Sequence, residues 1–299
     1  SRRVAAQRGL GAHDLEQQSI GVDQALGAEY LVSSIQKYLI ERFKVPEQKL
    51  LINYRSNQDL VDYARTLGYP SELEAFNKVK DLRIVSPIAS AIASMPSNFP
   101  VTDAYELILD PAKRVTALIH DDPISSQANE VEAGLVAGLA YCVRQCMARE
   151  LDIGDGKPFT AFDDDTFFDV GIGIVTPHKA QKALVVRALL DLFASADQQK
   201  VYDCVDTVER FQGGERQTII VSFGVGDTDI IEGEEAFLLQ MERTNVAVSR
   251  AMAKCIVLMP KALAYHLPSD HKAAEASVAI KSYIEEFCGN RISTDIAFD

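Results

Sequence analysis

The sequence lacks the features that mark disordered, secreted or membrane-spanning chains. Glycine and proline number only 17 and 11 in 299 residues, and no low-complexity tract occurs, which argues against disorder over most of the length. No apolar run approaches the ~20 residues that span a bilayer, and residues 1–4 begin no signal peptide. We therefore expect a cytoplasmic protein with no membrane partner, although a missing signal means little for a piece of a longer chain.

Cysteine is also sparse. The cysteines are Cys142, Cys146, Cys204, Cys255 and Cys288. None forms a CxxC pair, and no histidine pair has the spacing of a zinc site. Cys142 and Cys146 lie one helical turn apart, which is more typical of helix packing than of a metal site. We expect reduced thiols and no metal.

Positive charge is in short supply. Lysine and arginine number 30 against 43 acidic residues, which gives a net charge of −13. Contacts to nucleic-acid phosphates need local positive charge. Any nucleic-acid surface must therefore be a small patch, completed by another domain. The alternative is that the charge serves only solubility.

Apolar residues make up 47% of the chain, which is enough for a full core. Their spacing predicts strands at 49–53, 115–120, 170–175, 202–205, 217–223 and 255–259. It predicts helices at 24–43, 57–67, 128–147, 178–193, 234–248 and 272–288. This alternation indicates an α/β fold, with a mostly parallel sheet covered on both faces. Ligands of such sheets bind beyond the carboxyl ends of the strands.

Composition suggests how the chain divides. Residues 1–48 form an arm and an entry helix, and residues 49–260 form the main domain. Prolines punctuate residues 68–113, so the stretch 66–165 is a candidate for an inserted subdomain. Residues 261–299 are expected to form a helical tail that packs on the domain.

Two polar segments follow predicted strands. In Asn53-Tyr54-Arg55-Ser56 the arginine can reach a phosphate with its bidentate fork, and Tyr54 offers a flat face to a base. In the segment from Thr176 to Gln181 a helix begins, and free backbone amides at a helix start bind anions. The plainer alternatives are a surface arginine in a turn and an ordinary helix start.

Two further segments flank the later strands. Between Val205 and Arg216, two adjacent glycines permit close backbone approach, and Glu215 can accept hydrogen bonds from a ribose hydroxyl. Arg243 and Arg250 lie two helical turns apart on one face. An arginine that reaches a neighbouring lobe's nucleotide site stabilises the transferring phosphoryl group. The alternatives are a connecting loop and solvated arginines.

In this order and spacing, the four segments resemble motifs IV, IVa, V and VI of superfamily 1 DNA and RNA helicases. The strings NYRS, TPHKAQ, DTVxRFQGxER and NVAVSRA are most similar to the 5′-to-3′ branch of RNA-surveillance and replication helicases. Residues 125–133, SSQANEVEA, resemble the segment that precedes motif IVa there. The resemblance spans about residues 49–260. It implies the second motor lobe of a helicase: a RecA-like three-layer fold of the P-loop NTPase type with helical additions.

The resemblance also implies residue roles. Arg55 and Arg250 would contact the γ-phosphate of ATP. The other residues implied at the nucleotide site are Tyr54 near the adenine, Glu215 on the ribose hydroxyl, Gly214, and Gln212 as a coupling residue. The residues implied on single-stranded DNA or RNA are Thr176, Pro177, His178, Gln181, Thr207 and Asn245. His178 departs from the family, where tyrosine is common.

One catalytic element is absent from the sequence. No G-x-x-x-x-G-K-[ST] occurs: Gly154-Asp-Gly-Lys-Pro158 has the wrong spacing, and Asp163–Asp165 precedes a strand instead of ending one. We therefore expect ATP with Mg²⁺ to be bound mainly by an N-terminal RecA-like lobe of a longer helicase chain. The chain alone should not hydrolyse ATP.

Two rival interpretations remain at this point. The first is a degenerate helicase-like lobe that serves as a non-catalytic scaffold or partner-binding module, which the acidic charge slightly favours. The second is an unrelated α/β enzyme such as a dehydrogenase. It would need G-x-G-x-x-G after a strand, and Gly171-Ile-Gly173 lies inside a strand and lacks the third glycine.

Overall fold

The computed structural model describes residues 39–294, apart from 41, 47, 79, 151–157, 208–210, 212–213, 241–244, 246–247 and 270. The chain divides into two compact units, residues 1–50 and 51–299. In the first unit, residues 39, 40, 42 and 43 are helical. The expected arm at 1–28, most of the entry helix, Gln212 and Arg243 lie outside the described residues.

A six-stranded sheet organises the second unit. Its strands are β4 (Val115–His120), β7 (Ile172–Thr176), β8 (Val205–Thr207), β9 (Arg216–Ser222), β10 (Ala251–Pro260) and β11 (Asn290–Thr294). The order across the sheet is β11-β4-β10-β9-β7-β8, and every neighbouring pair is parallel. The predicted α/β fold with a mostly parallel sheet is confirmed.

Helices cover both faces of this sheet. On one face lie α4 (Glu130–Cys146) and α6 (Lys179–Leu192), which pack with Leu118, Ile256 and Leu258. On the other lie α1 (Gln58–Thr66), α8 (Thr228–Leu238) and α10 (His271–Ser282), which pack with Ile119 and Val257. Alternate strand residues feed opposite cores because side chains alternate along a strand. The result is a three-layer sandwich.

Smaller elements flank the sandwich. Strands β1 (Ile52–Asn53) and β2 (Glu74–Ala75) form a parallel pair, and β3 (Leu82–Ile84), β5 (Met147–Glu150) and β6 (Phe159–Ala161) form an antiparallel sheet. The remaining helices are α2 (Ile88–Ser94), α3 (Ala104–Ile108), α5 (Asp164–Thr166), α7 (Gln198–Asp203) and α9 (Lys261–Ala264), with π-helical turns at Phe167–Gly171 and Tyr283–Phe287. The stretch 66–165 thus holds the antiparallel sheet but also supplies β4 and α4 to the main layers.

Several predicted boundaries were wrong, and helix caps explain two of them. Tyr202 was assigned to a strand but lies in α7, which begins because the Asp197 side chain accepts from the N–H groups of Gln199 and Lys200. The helix predicted at 234–248 begins at Thr228, where Asp227 is the cap, and it ends at Leu238. An aspartate before a helix is a preferred N-cap residue, so the beginnings of both helices could have been predicted from the sequence.

One more assignment needs correction. The acidic stretch Asp163–Asp165 leads into the one-turn helix α5, which Asp163 caps. The tail expected to be helical also contains β11, which pairs with β4 at the edge of the sheet. A short edge strand made of mixed residues has no strong periodic signal.

The cysteines behave as expected from their spacing. All of them are free thiols, and Cys142 and Cys146 pack into the core with α4. Burial raises the pKa of Cys142, Cys204 and Cys255 to about 12. These thiols therefore stay protonated and unreactive near neutral pH. Within the described residues, every helix is too short or too polar to cross a membrane.

Candidate nucleotide and nucleic-acid sites

The predicted site residues divide between the two ends of the sheet. Thr176 and Thr207 end β7 and β8, at the carboxyl end. Glu215 and Arg250 immediately precede β9 and β10, at the amino end. Arg55 follows β1, which belongs to a separate two-stranded sheet. The expectation that ligand-binding residues lie beyond the carboxyl ends of strands is therefore wrong for Glu215 and Arg250, whereas Arg55 does follow the carboxyl end of β1.

A tight turn after β1 holds Arg55 beside the start of β10. The Asn53 side chain accepts from the backbone N–H groups of Arg55 at 2.8 Å and Ser56 at 2.9 Å. The Ser56 hydroxyl donates to the carbonyl of Ala251 at 2.7 Å. Asparagine side chains commonly close such turns. The local sequence thus fixes where the Arg55 side chain leaves the backbone.

Arg55, Glu215 and Arg250 form what we call the amino-end cluster. Arg55 donates from Nε to Glu215 Oε1 at 2.7 Å and from Nη1 to the carbonyl of Ser249 at 2.8 Å. The next residue, Arg250, has a buried Nε that finds no hydrogen-bond partner among the described residues. The structure therefore brings the two predicted arginines to the same end of the sheet.

The ion pair in this cluster is partly open to solvent. The Arg55 and Glu215 side chains are 30% and 46% exposed. Pairs of this exposure contribute little to stability. A guanidinium fork binds phosphate at least as well as carboxylate, so Arg55 can exchange Glu215 for a phosphate at small cost.

Arg216 supports the cluster and was not singled out from the sequence. Its Nε donates to the carbonyl of Ile172 at 3.1 Å, and its Nη1 donates to the carbonyl of Glu215 at 3.0 Å. Burial lowers the pKa of Arg216. A Cβ atom on Gly214 would lie 2.7 Å from Arg216 Nη1. Gly214 thus leaves room for the arginine that holds Glu215 in place.

Tyr54 has an aromatic neighbour that sequence reasoning missed. Its ring lies 4.7 Å from that of Phe76, tilted by 32°. The two residues are 65% and 68% exposed. Phe76 comes here because its N–H donates to the carbonyl of Asn53 at 2.8 Å, next to the β1–β2 pair. Pairing of two-residue strands leaves no pattern in the sequence.

At the carboxyl end, the residues after β7 turn inward. Thr176 is fully buried, and its hydroxyl donates to the carbonyl of His178 at 3.1 Å. Pro177 is buried as well. In this conformation both side chains are buried, and their contact with a nucleic acid stays a prediction from the resemblance. Lys179 and Ala180 are the exposed residues at this point.

Gln181 is also fully buried, and both ends of its amide make hydrogen bonds. It accepts from the N–H of Asn129 at 2.7 Å and donates to the Ser222 hydroxyl at 2.9 Å. Ser222 donates to Glu132 at 2.6 Å, and the other Glu132 oxygen lies 2.6 Å from His120 Nε2. The contact between Gln181 and nucleic acid stays a prediction from the resemblance, and in this structure the side chain lies in the core. We call these five residues the carboxyl-end network.

The two remaining candidates lie apart from each other. Thr207 is buried at the end of β8, and its N–H donates to the Asp206 side chain at 2.8 Å. Asn245 lies one turn before Ser249, whose N–H donates to its carbonyl at 2.8 Å. Its Oδ1 is buried without a hydrogen-bond partner in the described part of the chain. Asn245 therefore precedes the amino end of β10, away from Thr176 and Thr207.

The first turn of α6, like those of the shorter helices α2, α3 and α9, has no side-chain cap. Side chains of Asn57, Asn129, Asp197 and Asp227 cap α1, α4, α7 and α8. An uncapped first turn leaves backbone N–H groups for an anion. Exposed Lys179 adds a positive charge there. In the described residues no cluster of three or more His, Cys, Asp and Glu side chains suits a metal ion.

Comparison with known proteins places this geometry in context. A family model described as "AAA domain" matches residues 31–261. The chain is 24% identical over 227 residues, 75% of its length, to the DNA replication ATP-dependent helicase/nuclease of Schizosaccharomyces pombe. It is 26% identical over 243 residues, 80% of its length, to the protein of the same name from Saccharomyces cerevisiae. The matched part spans 14% of each of these two proteins.

A shorter similarity connects the chain to another helicase. The probable helicase senataxin of Homo sapiens is 34% identical over 87 residues, which cover 29% of this chain and 3% of that protein.

Proposed function

Since this chain belongs to the AAA domain family and is a RecA-like C-terminal helicase domain of the superfamily 1 branch, we propose that its amino-end cluster receives the γ-phosphate of ATP. The whole protein would then be an ATP-dependent helicase or translocase on single-stranded DNA or RNA. An N-terminal RecA-like lobe would supply the phosphate loop and most contacts to ATP and Mg²⁺.

One observation supports this most strongly. Arg55 and Arg250 leave the backbone at the same end of the sheet, joined by the Arg55 bond to the Ser249 carbonyl. Arg55 is held by a half-open ion pair, and Arg250 carries a buried Nε that has no hydrogen-bond partner among the described residues. A solvated pair of unrelated arginines needs neither feature. A triphosphate that enters between the lobes satisfies both guanidinium groups.

The proposed mechanism is an exchange of partners. As the cleft closes, Arg55 gives up Glu215 for the γ-phosphate, and Glu215 becomes free to accept from the ribose hydroxyl. The exposed Tyr54–Phe76 pair then offers a flat apolar surface to the base. After hydrolysis the γ-phosphate is gone, and the Arg55–Glu215 pair returns. The equilibrium between the open and the closed cleft shifts because the contacts differ between the ATP and ADP states.

The carboxyl end would hold the nucleic acid. The uncapped first turn of α6 and Lys179 are suited to a backbone phosphate. Thr176 and Gln181 act indirectly here, because they fix the turn and the helix that present those groups. A single short positive patch is consistent with the net charge of −13.

The test is the nucleic-acid-stimulated ATPase rate of the full-length protein with Arg250→Ala. Loss of an arginine that stabilises the transferring phosphoryl group lowers this rate by about 10³-fold or more. Arg144→Ala is the matched control, because Arg144 pairs with Asp164 and is 21% exposed on its side chain. We expect the control to stay within about twofold of wild type.

A rate for Arg250→Ala within about twofold of wild type would overturn the assignment. If the wild-type protein itself shows no ATPase activity with either DNA or RNA, the scaffold alternative replaces the motor. For the isolated chain we expect no ATP hydrolysis, because it contains no phosphate-loop lysine.

A further inference from the structure

A pocket of about 420 Å³ opens beside the first turn of α6. Its lining residues are Gln127, His178, Gly233, Glu234, Ala236 and Phe237. They come from the loop before α4, the start of α6 and the outer side of α8. The pocket is an open depression on the surface and not an enclosed cavity. Sequence reasoning singled out only His178 among these residues.

One wall of the pocket is flat and aromatic. The rings of His178 and Phe237 stack at 5.4 Å with an angle of 28° between their planes. The His178 side chain is only 11% exposed, so it forms the floor, while Phe237 is half-buried at the edge. A third planar ring can extend such a stack. Stacking of bases on aromatic side chains is a common way to bind single strands.

A polar group adjoins the stacked rings. Glu234 accepts from the Gln127 amide at 3.3 Å, and its other oxygen lies 3.1 Å from His178 Nε2. The Glu234 side chain is 31% exposed, so it can accept further hydrogen bonds. Carboxylates accept from the amino groups of bases, and their negative charge disfavours a phosphate. The pocket therefore suits a base and excludes the sugar-phosphate backbone.

The neighbouring surface has the opposite preference. The first turn of α6 and exposed Lys179 attract an anion, and His178 borders both places. We propose that this pocket binds one nucleobase of the single strand, with the adjoining phosphate on the first turn of α6. This rests on the proposed function and adds a base-binding site to it. The residues that carry it are Phe237, His178 and Glu234.

Gly233 provides a way to close the pocket without removing any contact. A Cβ atom built there meets no heavy atom within 4 Å, and Gly233 lies inside α8. Leucine is a better helix former than glycine. Gly233→Leu should therefore fold at least as well as wild type while it occupies the entrance. Phe237→Ala removes the stacking wall instead.

The experiment measures binding of full-length protein to fluorescent single-stranded oligonucleotides by anisotropy. One oligonucleotide is intact, and a series carries a single abasic site moved along the strand. We expect Gly233→Leu and Phe237→Ala to weaken binding of the intact strand by about 5- to 100-fold. One abasic position should weaken wild-type binding similarly and make no further difference in these variants. Lys179→Ala should weaken all strands by the same factor.

The inference is overturned if both pocket variants bind the intact strand within twofold of wild type, or if no abasic position matters. In that case the wild-type protein still binds single strands, and the proposed function stands. If wild-type protein binds no single strand at all, the proposed function fails first and the pocket loses its ligand. A melting temperature for each variant shows that the comparison is between folded proteins.

Discussion

The two ends of the central sheet use polar groups in different ways. The amino-end cluster consists of partly exposed side chains, joined by one ion pair and by bonds to backbone carbonyls. In the carboxyl-end network, His120, Glu132, Gln181 and Ser222 are buried and joined by bonds of 2.6 to 2.9 Å. The charged groups of the amino-end cluster lie near solvent, whereas the polar atoms of the carboxyl-end network are buried.

This difference separates groups that can exchange partners from groups that cannot. An exposed ion pair contributes little to stability, so breaking it costs little. When one member of a buried network is removed, each group left without a partner destabilises the fold by its full desolvation cost. We conclude that the amino end is suited to a ligand that comes and goes. The carboxyl end is suited to holding a surface in one shape.

Glu132→Ala tests this contrast with the largest expected effect. Glu132 accepts from Ser222, from the N–H of Gly224 at 3.0 Å and faces His120. The variant leaves these groups buried without their acceptor, so we expect the free energy of unfolding to fall by about 3–5 kcal/mol. Chemical denaturation of the chain measures it.

The matched control for that variant is Glu130→Ala. Glu130 lies in the same first turn of α4 but is exposed. Its loss removes only a favourable charge at a helix start, which is worth below about 1 kcal/mol. Equal losses for the two variants would show that the network contributes nothing beyond helix electrostatics.

Lys254 sharpens the comparison, because it is a buried charge on β10 between the two ends. It is 2% exposed and donates to the carbonyls of Asp110, at 3.0 Å, and Lys113. Burial lowers the pKa of Lys254 to about 7, from an ordinary value of 10.5. Between these two values the unfolded chain binds more protons than the folded chain, so stability rises with pH.

We therefore expect the free energy of unfolding to increase by about 1–2 kcal/mol from pH 7 to pH 8.5. Lys254→Met should remove this increase. The range stops at pH 8.5 because burial raises the pKa of Cys142 to about 12, from an ordinary value of 9.0. Above pH 9 the unfolded chain loses this proton while the folded chain keeps it, so stability falls. An unchanged pH dependence in Lys254→Met would assign the effect to other groups.

The sequence predicted the regular, apolar elements well. The predicted bounds of β4 agree with the structure, and the helix predicted at 57–67 is close to those of α1, because continuous apolar runs and helical spacing are local signals. The motif strings also led to Arg55, Glu215 and Arg250. The motif strings could not predict the direction in which a side chain points. Gln181 lies in a polar string, yet its side chain points into the core because of the tertiary fold.

Long-range pairing was the other limit. Phe76 reaches Tyr54 only because β1 and β2 pair, and β11 joins the sheet only because β4 offers an edge. The buried partners His120 and Ser222 end strands whose central residues are apolar. Such contacts join residues far apart along the chain, so no local pattern records them.

The smallest expected effect on stability comes from the amino end. Arg55→Ala and Glu215→Ala each break the half-open ion pair, and we expect either to change the free energy of unfolding by at most about 1 kcal/mol. Denaturation of the two variants beside Glu132→Ala gives the comparison. A loss of 3 kcal/mol or more would mean that the pair is structural and not free to exchange.

The most direct measurement is a double-mutant cycle on the stimulated ATPase rate of the full-length protein, with Arg55→Ala, Arg250→Ala and the combined variant. If both arginines meet one γ-phosphate, the combined loss is smaller than the product of the single losses, by about tenfold or more. If the two losses multiply, or if either single variant retains the wild-type rate, the two guanidinium groups do not share a phosphate, and the proposed motor role of the amino-end cluster is contradicted.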